Sequence, residues 1–172
     1  MSNDGGRSMK RNVSLMLALA GLLCGVGLAF TIGAQTSSDS EKHTFTPSAI
    51  QYGAAPAFLN TGAQLAVLEG DPGASSGDYT VRLKMPDGYR IAPHWHPLRE
   101  NITVISGIFK VGMGDSFEQM KMIAFPAGSF AYMDPDMHHY AMASGEVVVQ
   151  VHGMSPLQFN YVDPNDDPIH KK

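Results

Sequence analysis

The chain has one cysteine, Cys24, in 172 residues. A lone thiol forms no internal disulfide and no Cys-x-x-Cys redox pair. Positive charge is also scarce: 12 Lys+Arg face 16 Asp+Glu, a net charge of −4 with histidine neutral. That balance argues against nucleic acid and anionic membrane surfaces as partners, because both require basic patches. There is no Gly-rich phosphate loop and no Gly-x-Ser-x-Gly elbow, so nucleotide-binding and serine-hydrolase readings have no support. Beyond residue 34 no segment carries a long apolar stripe of period 3.6 with caps, so nothing suggests a helical domain. No internal repeat or low-complexity tract occurs.

Long apolar runs are confined to one place. Arg7, Lys10 and Arg11 precede an apolar stretch over residues 13–30, and small residues follow at Gly33 and Ala34. This order reads as an export signal over residues 1–34, cleaved after Ala34, which implies a periplasmic or secreted protein. The alternative is an uncleaved membrane anchor, since about 18 apolar residues is the lower limit for a span. Cys24 follows Leu22 and Leu23 rather than small residues, which speaks against a lipoprotein signal, and Lys10-Arg11 is a poor twin-arginine match. Cleavage removes Arg7, Lys10, Arg11, Asp4 and Cys24, so the net charge moves from −4 to −6 and no cysteine remains. The remainder has the length of one domain with one core, with no stable membrane association expected.

Residues 35–59 read as a linker or N-terminal arm, polar at first and then mixed without a clear period. Short β-like runs follow at 64–69, 79–85, 101–105, 108–111, 121–125, 129–133 and 147–152. Turn formers separate them, such as Pro86-Asp87-Gly88, Ser106-Gly107 and Pro126-Ala127-Gly128. Short strands at regular spacing predict an all-β domain, an antiparallel sandwich or barrel over residues 60–160. Residues 161–172 read as an irregular tail. Met85, Phe109, Met113, Met122, Phe125, Tyr132 and Tyr140 are assigned to barrel packing rather than to substrate contacts.

Chemistry concentrates in residues 88–107, Gly-Tyr-Arg-Ile-Ala-Pro-His-Trp-His-Pro-Leu-Arg-Glu-Asn-Ile-Thr-Val-Ile-Ser-Gly. On a strand, His94 and His96 point the same way, and Trp95 points away from them. Glu100, opening a Val/Ile/Thr-rich segment, can return toward the same point. Two neutral imidazoles and a carboxylate suit a divalent transition metal: Fe, Mn, Ni, Zn or Cu. Residues 147–152 carry Val147, Val149 and Val151 on one face and Val148, Gln150 and His152 on the other. The polar face meets either solvent or a wet cavity. In the second case His152 is the candidate general base, because an unperturbed imidazole titrates near neutrality. Arg82, Arg90 and Arg99 flank His94 and His96 in sequence and are either solvated or available to pair with a carboxylate substrate.

The spacing Gly-x5-His-x-His-x3-Glu-x6-Gly over 88–107 resembles the first motif of the cupin superfamily at every fixed position. The second cupin motif, Gly-x5-Pro-x-Gly-x2-His-x3-Asn, is kept at Gly128 and His139. It is replaced at Asp134, Asp136 and Ala143, which leaves the turn before the histidine open. The resemblance implies a cupin-type double-stranded β-helix, or jelly roll, with one metal held by His94, His96, Glu100 and His139. His138 replaces His139 as ligand if the altered turn shifts the register. A homodimer is also implied. The expected function is that of a metal-dependent enzyme on a small organic molecule, of oxygenase, isomerase or decarboxylase type. The alternative is a non-catalytic module that binds or senses a metal or small ligand, because the same ligands serve binding and turnover. A cavity with no ionisable group besides the ligands, and His152 turned outward, would favour that alternative.

Overall fold

The computed structural model describes residues 43–170. The export signal over 1–34 and the first part of the 35–59 arm lie outside the described residues. Nine strands follow in order: β1 (Gly53–Ala54), β2 (Gln64–Glu69), β3 (Asp78–Met85), β4 (Arg90–Trp95), β5 (Glu100–Met113), β6 (Ile123–Pro126), β7 (Phe130–Met133), β8 (His139–Met154) and β9 (Asn160–Tyr161). All pairings are antiparallel. The fold is the all-β cupin jelly roll.

Two long strands, β5 and β8, make the barrel. They pair with each other from Glu100↔Gly153 to Met113↔His139, and each takes different outer partners at its two ends. The second half of β8 pairs with β3, and the first half pairs with β4. The first half of β5 pairs with β7, and the second half pairs with β6. One continuous sheet thereby folds over into two facing layers.

The bend has a local cause. Gly107 in β5 and Gly145 in β8 have φ of 77° and 73°, in the left-handed region, and β5 shifts register on both sides of Ser106. At Gly107 a Cβ would collide with the Glu146 carbonyl and stand 3.0 Å from Val147 Cα. The two glycines therefore bend the strands without ending them. For this reason the runs expected at 101–105 and 108–111 form a single strand. The run expected at 147–152 is likewise the second half of a strand that begins at His139. The run expected at 121–125 starts two residues later, after a 3-10 turn at Gln119–Lys121.

Alternation on the long strands fills the space between the layers. Tyr79, Val81, Leu83 and Met85 of β3 meet Val147, Val149 and Val151 of β8, with Ile102, Val104, Phe109 and Val111 of β5. Burying each such side chain fully is worth about 1.5–3 kcal/mol. Met85, Phe109 and Tyr140 are buried, whereas Met113 and Tyr132 are exposed, on the end of β5 and on β7. The arm contributes too: Ile50 and Leu59 are buried, and Phe58 packs against the core.

Candidate metal centre

Three histidines meet at one end of the barrel. His94 lies on β4, directly opposite His139 at the start of β8. A register shift between Ile91 and His94 breaks strict alternation, so that Pro93 and His94 are both buried. His96 follows one residue past the end of β4 and is buried as well. The turn before His139 contains Asp136 at φ 63°, and Asp136 N–H donates to the His96 carbonyl at 2.9 Å. Aspartate tolerates this left-handed conformation better than most residues. The residue replacing the motif glycine thus sits at positive φ, and His139, not His138, points inward.

Backbone carbonyls orient each ring. His94 Nδ1 donates to Ala92 O at 2.7 Å, His96 Nδ1 to Gln158 O at 2.6 Å, and His139 Nδ1 to Met137 O at 2.9 Å. A carbonyl only accepts, so each Nδ1 carries a proton, and whenever the ring is neutral its Nε2 presents a lone pair. The three donor nitrogens lie within 4.8 Å of one another. Burial holds His94 well below the usual histidine range, reinforced by the positive fields of His139 and His96 and only partly opposed by the Ala92 carbonyl. His96 Nε2 is fully buried with no hydrogen-bond partner.

Glu100, the first residue of β5, closes the group. Its Oε2 lies 3.5 Å from His139 Nε2 and 3.6 Å from His96 Nε2. Burial alone would raise its carboxyl, but the hydrogen bond from His139 and the charges of His96 and His139 outweigh it. Glu100 is therefore held below the usual carboxylate range. A carboxylate oxygen facing two imidazole lone pairs requires a cation between them, either protons or a metal ion.

The site is closed from outside by a segment that has no motif in the sequence. Phe159 stacks on His94 at 4.0 Å between centroids and meets His96 edge-on at 4.8 Å. Phe58 stacks behind Phe159 at 5.3 Å. Tyr161 of β9 pairs with His94, and its hydroxyl donates to Phe58 O at 2.7 Å. Inside lies a cavity of about 40 Å³, walled by aliphatic side chains such as Ile102, Val149 and Val151. Among the described residues, its ionisable lining groups are His94, Glu100 and His139.

Other candidates lie elsewhere. Val149 and Val151 face the cavity, so alternation turns Gln150 and His152 to the opposite face of β8. There His152 lines an outer groove with Thr80, Arg99 and Asn101 and is not brought to the histidines. His138 faces outward, where its Nδ1 is 2.6 Å from Asp115 Oδ1 and its ring lies 6.4 Å from that of Trp95. Arg82 bonds Gln150, Arg90 lies over Phe117, and Arg99 pairs with Asp134 beneath Tyr132. None of the three lines the cavity.

A family model described as the ChrR cupin-like domain matches residues 40–158. The chain belongs to this cupin family. Among solved structures, it is similar to the polyketide cyclase RemF from Streptomyces resistomycificus, at 14% identity and TM-score 0.60, over 73% of this chain and 88% of that one. It is similar to an acetylacetone dioxygenase from Acinetobacter johnsonii at 21% identity and TM-score 0.53, over 72% and 78%. An RmlC-like cupin from Shewanella frigidimarina aligns at 15% identity and TM-score 0.50, over 65% and 89%. At these identities the likeness establishes the fold alone. A comparison with curated proteins finds no match.

Cupins of this ligand pattern imply a metal, and the residues present fit one. Three preset Nε2 lone pairs, one of them an orphaned buried atom, converge beside a buried carboxylate. An unpartnered buried nitrogen is costly unless something accepts its lone pair. Nitrogen, nitrogen, nitrogen and oxygen donors suit a divalent transition ion.

Proposed function

We propose that this protein is a metal-dependent cupin enzyme acting on a small organic molecule, with His94, His96, His139 and Glu100 as ligands. The observation that carries the reading is the convergence of three buried, carbonyl-anchored imidazoles, two of them 3.5–3.6 Å from the Glu100 carboxylate, at the edge of a small, mostly apolar cavity. When bound there, a divalent transition metal supplies a Lewis-acid or dioxygen-activating centre. The chain's own residues orient the donors, exclude water and hold Glu100 ionised. Isomerisation and decarboxylation need a proton carrier beside the reacting carbon; Glu100 and the histidines are there, and Tyr79 and Arg99 line a second small cavity with His96 and Glu100. Oxygen insertion, isomerisation and decarboxylation therefore all stay within the proposal.

One observation favours a second reading. Among the described residues, this cavity is lined by no ionisable group besides the proposed ligands, and His152 faces outward, as expected of a binding or sensing module. Elemental analysis of untagged protein, followed by oxygen uptake by the Fe(II)-loaded form across a panel of small diketones and other enolisable compounds, separates the two. Metal near one per chain with substrate-dependent oxygen consumption supports the enzyme. Full metal occupancy with no uptake across the panel supports the binder, and metal well below one per chain removes both. Export through residues 1–34, and pairing of two chains as a homodimer, are part of the same proposal.

A further inference from the structure

The wall between the histidines and solvent is not uniform. Leu83, Ile102, Phe109, Val149 and Val151 belong to long strands paired on both sides and cannot retreat without opening the core. Phe159 is different. It is half-buried and lies just before β9, a strand of two residues that pairs only with β4. Beyond the β4–β9 pair and the His96–Gln158 and Tyr161–Phe58 bonds, four bonds hold the strap around it: Ser155 N–H to Gly77 O, Ser155 Oγ to Asp71 O, Leu157 N–H to Pro72 O and Val162 N–H to Pro93 O. Elements held by few bonds and little burial are the ones that open locally.

The space behind Phe159 is about 40 Å³. An enclosed water needs roughly 10–15 Å³, so there is room for about one to three waters. We propose that Phe159 is the size-selecting residue of this site. With its ring on His94, the centre takes water or a ligand of very few heavy atoms. A larger organic molecule reaches the histidines only when the strap lifts Phe159 away. Lifting it also withdraws the Gln158 carbonyl from His96 Nδ1, so entry of a large ligand loosens one imidazole. The identity of what is bound rests on the metal-centre reading, whereas the closure rests on the ring contacts and the cavity.

The test uses the metal-free protein first. Diethyl pyrocarbonate modification is followed at each histidine by peptide mass spectrometry, with exposed His43 and His170 as internal references. In the wild type, His94 and His96 react slowly. Phe159→Ala raises their rates relative to the references by at least about tenfold, the mark of a removed local barrier. Phe159→Leu, which keeps an apolar side chain in the stack, gives a smaller rise and serves as the readout should the alanine variant lose its fold. Equal relative rates in the wild type and the folded variants overturn the proposal. In the Co(II)-loaded protein, azide perturbs the visible spectrum of both wild type and Phe159→Ala, while benzohydroxamate perturbs only the variant. A wild-type response to benzohydroxamate as strong as that to azide also overturns it. Failure to take up Co(II) would refute the metal reading, and the modification rates would still decide the role of Phe159.

Discussion

His96 is the residue most exposed to loss of the metal, because its Nε2 is buried and has no other partner. Leaving such an atom unsatisfied costs about 1–3 kcal/mol, which a bond to a metal would offset. His96→Ala should weaken metal binding by more than the ~10–100-fold that removing an outer partner costs. His138→Ala should leave it unchanged, since His138 turns outward to Asp115. Metal content after dialysis measures both, and full retention in His96→Ala would refute the ligand assignment. His94, His96 and Glu100 were legible from their spacing, although the register shift in β4 and its end at Trp95, not strict alternation, bring the two histidines inward. Phe159 and Gln158 were not, because a stacked ring and a backbone carbonyl leave no pattern in the chain near the motif. Asp136 shows a third case: the residue type departs from the motif, yet the backbone takes the left-handed conformation at that position.

The bent strands carry the prediction at the scale of elements. Gly107 occupies positive φ with the Glu146 carbonyl and Val147 where a Cβ would be. Gly107→Ala combines left-handed strain of about 1–2 kcal/mol with overpacking of about 1–3 kcal/mol. Denaturant unfolding should therefore register a loss of roughly 2–5 kcal/mol, and an unchanged midpoint would mean that β5 does not need this bend. The β runs were legible because alternation and turn formers mark them. That Ser106-Gly107 and Ser144-Gly145 continue their strands was not legible, since the same dipeptides also end strands. Which outcome holds depends on partners along both edges, and these lie far away in the chain. β1 and β9 have two residues each, too few to show any period.

At the scale of the whole molecule, tyrosines tie the arm to the barrel. Tyr89 donates to Asn60 O at 2.6 Å, and burial pushes its hydroxyl up to about 12. Tyr161 is also raised, by burial first and then by Tyr89, Asp167 and Asp166. Tyr79 is raised by burial and the charge of Glu100. A hydroxyl raised on folding stabilises fully below the unfolded value near 10, and that stability is lost as pH rises through the folded value. For Tyr89 the window is about pH 10 to 12, worth roughly 2–3 kcal/mol. Unfolding midpoints in urea across this range should fall more steeply for the wild type than for Tyr89→Phe, and parallel curves would refute the assignment. The proposed export has its own check: the mass of the protein recovered from its native compartment should correspond to a chain starting at Gln35. A mass that retains residues 1–34 would favour the anchor instead.

The strand class, the positions of three candidate ligands and a donor set suited to a metal were already written in the chain. All of these follow from local periodicity and from residue chemistry over short separations. Long-range packing placed His139 beside those three residues, turned His152 the other way, and brought Phe58 and Phe159 over the site from opposite ends of the domain. Those outcomes depend on the register between β4, β5 and β8 and on where the last strand docks. Register and docking are set by packing between residues distant in the chain, and no local pattern encodes them.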